Sequence, residues 1–327
     1  MEKFNIGIIG AGHIAEKMAF TLNRMEDAAA YAVASRNLEK AWNFARAHGV
    51  EKAYGSYEEL LDDPQVDLVY VATPHSLHLR HVKMCLEKSR PVLCEKAFML
   101  NRAEAEEAIR LSEEKDVFLA EAIWTRYMPF RKTVRDVIDS GRIGRPMMLT
   151  AHLGYPVVHK ERIIDPALGG GALLDLGVYV INFALMMFGD GISGISSTCV
   201  KADTGVDLQE SITFTWPDGK MAVMQSTALC ASERQAIICG DKGYIILDNI
   251  NNPLKAEIWS AGHVLEETLH APEQITGFEY QVRACISAIR KGRIETDFMP
   301  HSETLRVMEL MDTVRTRWEE AFSRTDI

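Results

Sequence analysis

The sequence predicts a chain in two parts: an N-terminal α/β part with a doubly wound parallel sheet, and a C-terminal α+β part with an open, mainly antiparallel sheet. Up to residue 123, short apolar runs alternate with amphipathic helical stretches, which is the pattern of βαβ units. Beyond that point, strand patterns follow one another with only turn residues between them, as in an antiparallel sheet. A chain of 327 residues also exceeds one ordinary compact core. We therefore expect two domains, residues 1–123 and 124–327.

The elements of the N-terminal domain follow from the period of its apolar residues. A strand covered on both faces is a continuous apolar run, whereas a helix lying on such a sheet has one apolar face. The predicted strands are Phe4–Ile9, Ala29–Ala34, Leu68–Ala72, Pro91–Cys94 and Val117–Ala120, and the predicted helices include Asn37–His48, His75–Lys88 and Arg102–Lys115.

The C-terminal domain is predicted to begin with a helix at Tyr127–Ser140 and a strand at Pro146–Leu153. A glycine-rich turn then leads into the helix Ala172–Phe188. Strand patterns fill the following stretch, from Ile192 to Leu269, with turn signals between them. Two helices are expected to close the chain, at Gln274–Arg290 and Ser302–Phe322.

Composition and charge exclude several classes of protein. The net charge is −10 with both signs mixed along the chain, which argues against nucleic acid or an anionic membrane as the main partner. The six cysteines include no C-x-x-C pair and lie mostly among apolar neighbours, as buried thiols do in a reducing compartment. The longest apolar stretch contains Asp175 and Asn182 and is too polar to span a bilayer comfortably. No secretory leader is recognisable, so we expect a cytoplasmic protein.

A metal site is not predicted. His75, His78 and His81 are evenly spaced at the start of one helix, but no carboxylate or thiolate ligands stand near them in the sequence.

A glycine-rich turn opens the chain directly after the first strand. The segment Gly10-Ala11-Gly12-His13-Ile14-Ala15 has the pattern G-x-G-x-x-A and starts a helix. The first glycine permits a tight turn, the second lets the backbone approach a pyrophosphate, and the alanine permits close packing of helix on strand. In this context the motif predicts a dinucleotide-binding Rossmann fold. The alternative is a glycine turn needed only for packing.

The end of the second strand favours NADP over NAD. NAD-specific sites usually place a carboxylate there to bind the ribose hydroxyls, but this chain has Ser35 and Arg36. A hydroxyl and a planar guanidinium suit a 2′-phosphate. Alternatively, Arg36 is only a solvated residue in front of the next helix.

The run Val92-Leu93-Cys94-Glu95-Lys96 is a short buried strand that ends in an acid and a base. Ligands of open parallel sheets lie beyond the carboxyl ends of the strands, which is where Lys96 stands. A lysine there can be desolvated and act as a proton donor or acceptor. On local sequence alone, a surface ion pair between Glu95 and Lys96 explains the pattern equally well.

A second polar group lies on the helix that follows the glycine-rich turn. Asp175, Tyr179 and Asn182 stand at i, i+4 and i+7, so a regular helix places them in one stripe among apolar residues. Short hydrogen-bonding groups on a buried helix are typical of a polar cleft. The alternative is a narrow solvent-exposed face.

These motifs together resemble the glucose–fructose oxidoreductase / inositol dehydrogenase (Gfo/Idh/MocA) family over essentially the whole chain. The resemblance is greatest to its dimeric dihydrodiol dehydrogenase branch, which includes NADP-dependent D-xylose dehydrogenases. The segments that carry it are Gly10–Ala15, Cys94–Lys96, Glu121–Arg126 and Gly170–Tyr179.

The resemblance implies an NADP-dependent oxidoreductase that moves a hydride between the nicotinamide and a CH–OH or carbonyl carbon of a sugar, inositol or trans-dihydrodiol. It implies catalytic roles for Lys96, Tyr179 and Asp175, with Lys96 or Tyr179 handling the hydroxyl proton. It also implies dimers or tetramers formed through the C-terminal sheet. The resemblance further implies that Trp124 and Arg126 lie beside the nicotinamide and the substrate. The positions that it implies along the cofactor are the residues of the glycine-rich turn together with Thr73, Pro74, His75, His78 and Glu95.

One position departs from the family pattern, in which a proline follows the lysine. Ala97 stands there instead, and it does not restrain the backbone as proline does. A non-catalytic NADP-binding sensor on the same fold is therefore the alternative function, and an oligomeric structural protein with a vestigial nucleotide site is a third.

Overall fold

A computed structural model describes residues 3–323, which form two compact units. The first unit runs to Tyr127 and takes up Gln274–Met308 from later in the chain. The second consists of Met128–Glu273 and the segment that begins at Glu309. The division near Tyr127 lies close to the expected boundary at residue 123, but the return of a later segment to the first unit was not predicted.

The first unit is built on a six-stranded sheet with the strand order β3-β2-β1-β4-β5-β6. All of its strand pairs are parallel, with helices in the connections between the strands. This order reverses direction between β1 and β4, which is the point where open α/β sheets bind their ligands. The elements are β1 (Phe4–Ile9), α1 (His13–Leu22), β2 (Ala28–Ala34), α2 (Leu38–His48), β3 (Lys52–Tyr54), α3 (Tyr57–Asp62), β4 (Leu68–Val71), α4 (His78–Glu87), β5 (Val92–Glu95), α5 (Arg102–Lys115) and β6 (Leu119–Ala122).

The predicted α/β class with a doubly wound sheet is confirmed. The predicted strand Phe4–Ile9 and helix Arg102–Lys115 agree with the structure to the residue. The last strand begins at Leu119, two residues later than predicted, because Val117 and Phe118 are apolar but precede the paired segment. The short strand β3 and helix α3 were not predicted, since three half-buried residues form no apolar run.

The second unit contains an eight-stranded sheet with the order β14-β13-β12-β11-β7-β10-β9-β8. Its pairs are antiparallel except for β7 with β10, which are parallel. The elements are α6 (Pro129–Asp139), β7 (Pro146–Gly154), α7 (Glu161–Ile164), a π-helical turn (Leu173–Gly177), α8 (Val178–Phe188), β8 (Gly194–Lys201), β9 (Asp207–Thr215), β10 (Met221–Thr227), β11 (Ala236–Gly240), β12 (Gly243–Leu247), β13 (Lys255–Ser260) and β14 (Leu265–His270).

One face of this sheet packs against α8. Along β9, the buried residues Leu208, Ile212 and Phe214 alternate with more exposed ones, as expected for a sheet with one covered face. Helix α8 contacts β7 and β10, and its residues are buried except for Met186. A helix that is apolar on all sides is a core helix.

The segment Pro166–Phe188 is long and apolar enough by composition to cross a membrane, with a mean hydropathy of 1.8. Its most apolar window is completely buried in the fold. We therefore assign it as the core helix of the second unit.

Two further helices follow the second sheet, α9 (Glu279–Arg290) and α10 (His301–Ser323). The segment around α9 joins the first unit through specific contacts. The hydroxyls of Thr21 and Thr276 lie 2.7 Å apart, and the main-chain N–H of Leu119 donates to the carbonyl of Ile294 over 2.9 Å. Amphipathic periodicity predicts these helices but carries no information about which core their apolar faces cover.

A buried carboxylate joins β2, β3 and α3 at the edge of the first sheet. Asp63 accepts hydrogen bonds from the hydroxyls of Tyr31 (2.9 Å) and Tyr54 (2.6 Å) and from the ammonium of Lys52 (3.0 Å). The main-chain N–H of Gln65 donates to its other oxygen. Although burial acts in the opposite direction, these donors together hold the pKa of Asp63 well below its usual range.

We expect Asp63→Asn to lower the free energy of unfolding at pH 7 by roughly 2–4 kcal/mol, because it removes the charge on which three donors converge. A depressed pKa contributes stability above about pH 4 that declines as the pH falls below it, so the difference from the wild type shrinks in acid. Urea unfolding at several pH values measures both effects. Asp62→Asn is the matched control, since Asp62 forms only an exposed ion pair with Lys88. Equal losses in both variants would contradict this account.

Candidate active site

The glycine-rich turn has the geometry of a phosphate-binding loop. Gly10 has φ +102°, and a Cβ there would lie 2.7 Å from the carbonyl oxygen of Ala72 at the end of β4. A Cβ on Gly12, by contrast, would meet nothing within 4 Å, so the backbone is open on that side. Gly12 is the N-cap of α1, and no side chain caps this helix end. An uncapped helix N-terminus beside an open glycine fits a pyrophosphate. His13 and Ile14 form the first turn of α1.

The residues predicted to select the cofactor follow β2. Ser35 is nearly buried, and its hydroxyl lies 3.5 Å from the main-chain N–H of Asn37, whereas Arg36 is exposed. The ring of Tyr57 contacts the ring of His81 edge-on at 4.8 Å. Burial raises the pKa of Tyr57, and the positive charges of Arg36 and Arg80 oppose that rise. Arg80 is thus a second exposed guanidinium in this neighbourhood, and nothing in the sequence pattern linked it to Arg36.

The loop after β4 lies beside the end of β5. The hydroxyl of Thr73 forms a hydrogen bond with Nδ1 of His81 at 3.0 Å. Pro74 precedes a short 3-10 turn that begins at His75, and Nε2 of His75 lies 3.3 Å from the carbonyl oxygen of Lys96. The structure therefore brings the predicted residues of this loop together with the lysine segment. Their predicted contact with the cofactor remains a prediction.

Lys96 is half-buried and directly follows the last residue of β5. Glu95 is buried; it accepts a hydrogen bond from the hydroxyl of Tyr70 and another from the main-chain N–H of Lys96, the latter at 3.2 Å. Glu95 is therefore not a surface residue, unlike the surface ion pair that the sequence left as an alternative. The peptide bond between Lys96 and Ala97 is cis.

Glu121, at the end of β6, is a buried carboxyl group for which the sequence analysis proposed no role. Its Oε2 accepts from the hydroxyl of Thr304 at 3.0 Å, and the main-chain N–H of Phe98 also donates to this carboxylate. Burial raises the pKa of Glu121 to about 7. The sequence does not indicate that the carboxyl group of this strand residue contacts the segment after β5.

Trp124 and Arg126 are both buried in the first unit. The indole stacks on the ring of Phe278 with 4.8 Å between the ring centres. The guanidinium of Arg126 forms an ion pair with Glu303 at 3.0 Å. Burial lowers the pKa of Arg126, and Glu303 opposes that shift. The predicted substrate contacts of these two residues remain predictions.

The polar residues of the second unit lie at the start of its core helix. Asp175 and Tyr179 are 6% and 8% exposed, and Asn182 is fully buried, which excludes the alternative of a solvent-exposed face. The π-helical turn includes Asp175, so the regular i, i+4 stripe assumed from the sequence is interrupted before Tyr179. Asn182 donates to the carbonyl of Val178 inside the helix. Arg162, which the sequence analysis did not single out, donates to Asp175 over 2.8 Å.

Two carboxyl groups of β9, the half-buried Asp207 and the buried Glu210, support this helix start. The main-chain N–H of Leu173 donates to Asp207 over 2.6 Å. Glu210 is hydrogen-bonded to the hydroxyl of Ser226, and burial raises its pKa well above the usual range. A Cβ on Gly177 would come within 2.7 Å of Glu210, so this position has no room for a side chain. π-Helical turns occur often at functional sites, and here the turn is packed directly on two carboxyl groups.

The predicted site residues therefore fall into two groups, one in each unit. Lys96, Thr73, His75 and Glu95 lie together in the first unit with the phosphate loop, and Asp175 lies with Tyr179 in the second. Among residues 3–323, no group of three or more His, Cys, Asp or Glu side chains is placed to hold a metal ion.

Comparison with known families agrees with this architecture. Residues 4–122 match the Gfo/Idh/MocA oxidoreductase family, NAD-binding Rossmann fold, and residues 131–246 match the Gfo/Idh/MocA C-terminal domain. The trans-1,2-dihydrobenzene-1,2-diol dehydrogenase of Xenopus laevis is 33% identical over 314 residues, which cover 94% of this chain and 95% of that protein. The human enzyme of the same name is 32% identical over 320 residues, with 94% and 95% covered.

Solved structures show the same fold. KijD10, a 3-ketoreductase from Actinomadura kijaniata in complex with NADP and TDP-benzene, has a TM-score of 0.89 and 26% identity, covering 97% of this chain and 98% of that one. The aldose-aldose oxidoreductase from Caulobacter crescentus, complexed with glycerol, has a TM-score of 0.88 and 21% identity, covering 98% of each chain. The resemblance noted from the motifs is thus confirmed: the chain belongs to the Gfo/Idh/MocA family of oxidoreductases.

Proposed function

We propose that this oxidoreductase uses NADP and transfers a hydride to or from a CH–OH or carbonyl carbon of a sugar, inositol or trans-dihydrodiol. One observation carries the proposal: Lys96 follows β5, next to the point between β1 and β4 where the strand order reverses. Gly10 and Ala72 meet at that point, so the phosphate loop and the lysine share one edge of the sheet. Dinucleotides bind at this edge in doubly wound folds.

The substrate class is supported by the relatives. The similar enzymes from Xenopus laevis and human are named for a dihydrodiol, and KijD10 is a ketoreductase solved with NADP. The open backbone at Gly12 and the exposed guanidinium of Arg36 fit the pyrophosphate and the 2′-phosphate of NADP. In this proposal the first unit binds NADP and the second binds the substrate.

NADP, when bound, supplies the hydride chemistry, and the protein positions the substrate and moves the hydroxyl proton. Lys96 and Tyr179 are the proposed proton-transfer groups, because an ammonium and a phenol can each exchange a proton with a substrate hydroxyl. Asp175, which Arg162 holds at 2.8 Å, would orient the substrate hydroxyls.

We also propose that the protein is cytoplasmic and forms a homodimer or homotetramer. The proposed interface is the outer face of the second sheet, the face that α8 does not cover. That face carries partly exposed apolar side chains: Met148 and Met221 are paired across β7 and β10, and the rings of Tyr244 and Trp259 stack on β12 and β13. Exposed apolar side chains grouped in this way are typical of a protein interface. The free thiols of the buried Cys85, Cys94 and Cys285 fit a reducing compartment.

Replacing Lys96 by Met should lower kcat by roughly 10²–10⁴ while NADPH binding is kept, because general acid–base catalysis has this magnitude. The assay is NADP⁺ reduction with trans-1,2-dihydrobenzene-1,2-diol, D-xylose and myo-inositol, and tryptophan fluorescence measures NADPH binding. Lys83→Met is the control, since Lys83 forms an exposed ion pair on α4. An unchanged kcat in the Lys96 variant would refute the catalytic role. A wild type that binds NADPH but turns over no diol, aldose or inositol would favour the sensor alternative.

Replacing Arg36 by Ala should weaken NADPH binding about ten- to a hundred-fold and leave NADH binding nearly unchanged, because only NADPH carries the 2′-phosphate. Fluorescence titration with both cofactors tests this. Arg46→Ala, which alters an exposed arginine of the following helix α2, serves as the control. Equal losses for NADPH and NADH would overturn the choice of cofactor.

Replacing Met148 and Met221 together by Glu should convert the oligomer into monomers, because it places charges in the centre of the proposed interface. Size-exclusion chromatography with light scattering measures the mass. Val264→Glu, at an exposed turn of the same unit, should leave the oligomer intact. A wild type that is monomeric at micromolar concentration would disprove this interface.

A further inference from the structure

The segment that carries Lys96 is held mainly through its backbone, by side chains of neighbouring elements. His75 lies 3.3 Å from the carbonyl of Lys96, and the carboxylate of Glu121 accepts the main-chain N–H of Phe98. The thiol of Cys94 lies 3.9 Å from the carbonyl of Phe98. Ala97 has no ring that restrains φ, so the conformation of this segment depends on the groups around it.

His78 makes the largest number of these contacts. Its Nδ1 lies 3.0 Å from the carbonyl oxygens of both Ala97 and Phe98, and its Nε2 lies 2.8 Å from the carbonyl oxygen of Thr73. One imidazole therefore lies between the loop after β4 and the segment after β5. The side chain is completely buried, so any cofactor role of His78, as predicted from the sequence, acts through the main chain of its loop.

The imidazole of His78 is a fixed structural link rather than a titrating group. Burial lowers the pKa of His78, the carbonyl contacts oppose that shift, and the nearby charge of Lys96 lowers the pKa further. A neutral imidazole has one N–H donor, so one of its nitrogens donates to a carbonyl and the other carries a lone pair. Either the Ala97–Phe98 side or the Thr73 side thus receives the hydrogen bond.

We propose that His78 is a positioning residue for Lys96. The Nδ1–H of His78 donates to the carbonyl oxygens of Ala97 and Phe98, and this contact fixes the position of the Lys96 ammonium group. The proposal rests on the proposed catalytic role of Lys96. A displacement of about 1 Å in a reacting group can lower a rate by roughly 10²-fold. Loss of this link therefore reduces kcat more than it reduces cofactor affinity.

Two conservative variants separate the two nitrogens. The amide nitrogen of Asn reaches approximately the position of Nδ1, and that of Gln reaches approximately the position of Nε2. We expect His78→Leu to lower kcat for trans-1,2-dihydrobenzene-1,2-diol by roughly 10- to 100-fold. His78→Asn should recover kcat to within about threefold, and His78→Gln should not. If the Leu variant does not fold, the comparison of Asn with Gln still decides the question.

A double variant tests whether His78 acts through Lys96. With Lys96 replaced by Met, His78→Leu should cause no further loss of kcat, because residues that act as a unit are non-additive. His301 provides the matched control, as a buried imidazole whose Nε2 lies 2.9 Å from the carbonyl of Leu119. His301→Leu should lower the melting temperature without the selective loss of kcat.

The outcomes distinguish this proposal from the proposed function. If Lys96→Met leaves kcat unchanged, the catalytic role of the lysine fails. If Lys96→Met lowers kcat but His78→Leu does not, only the role of His78 fails. Rescue by Gln instead of Asn would also overturn the role of His78, since the contact that matters would then be the one between Nε2 and the loop at Thr73. An additive loss in the double variant would overturn it as well, since His78 would then act independently of Lys96.

Discussion

Gly10 lies so close to the end of β4 that a Cβ would come within 2.7 Å of the carbonyl oxygen of Ala72. This close approach joins the glycine-rich turn after β1 to the loop after β4. Because parallel strands end at the same edge of a sheet, the loop after β5 lies beside both. The phosphate loop, the Thr73 loop and Lys96 thus share one edge, and every functional inference for the first unit depends on this arrangement.

In both units, polar side chains hold the main chain next to the predicted catalytic residues. In the first, His78 and Glu121 bind main-chain groups of the lysine segment. In the second, Asp207 and Glu210 lie against the start of the helix that carries Asp175 and Tyr179. An unpaired buried polar group is costly, so each of these side chains is held in place by the main chain or hydroxyl that it satisfies. This rigidity suits groups that present the proposed catalytic side chains in fixed positions.

The sequence predicted most of the fold because the two units have different hydrophobic periods. Continuous apolar runs alternating with helical stretches marked the first sheet, and consecutive strand patterns separated only by turn residues marked the second. The order of the eight strands in the second sheet was not predictable, and neither was the parallel pairing of β7 with β10, since pairing partners leave no local trace. The π-helical turn was missed because the spacing of the apolar residues does not distinguish it from a regular helix.

The sequence by itself determined the glycine-rich turn after the first strand and the family, because these depend on residue types at short, fixed spacings. The catalytic groups that it names remain a prediction. Only the tertiary structure decided that Arg162 holds Asp175, that Arg126 pairs with Glu303, and that His78 lies between two loops. It also placed Gln274–Met308 in the first unit. These contacts join different elements of the fold, and they arise from the shape of the folded core rather than from any local pattern.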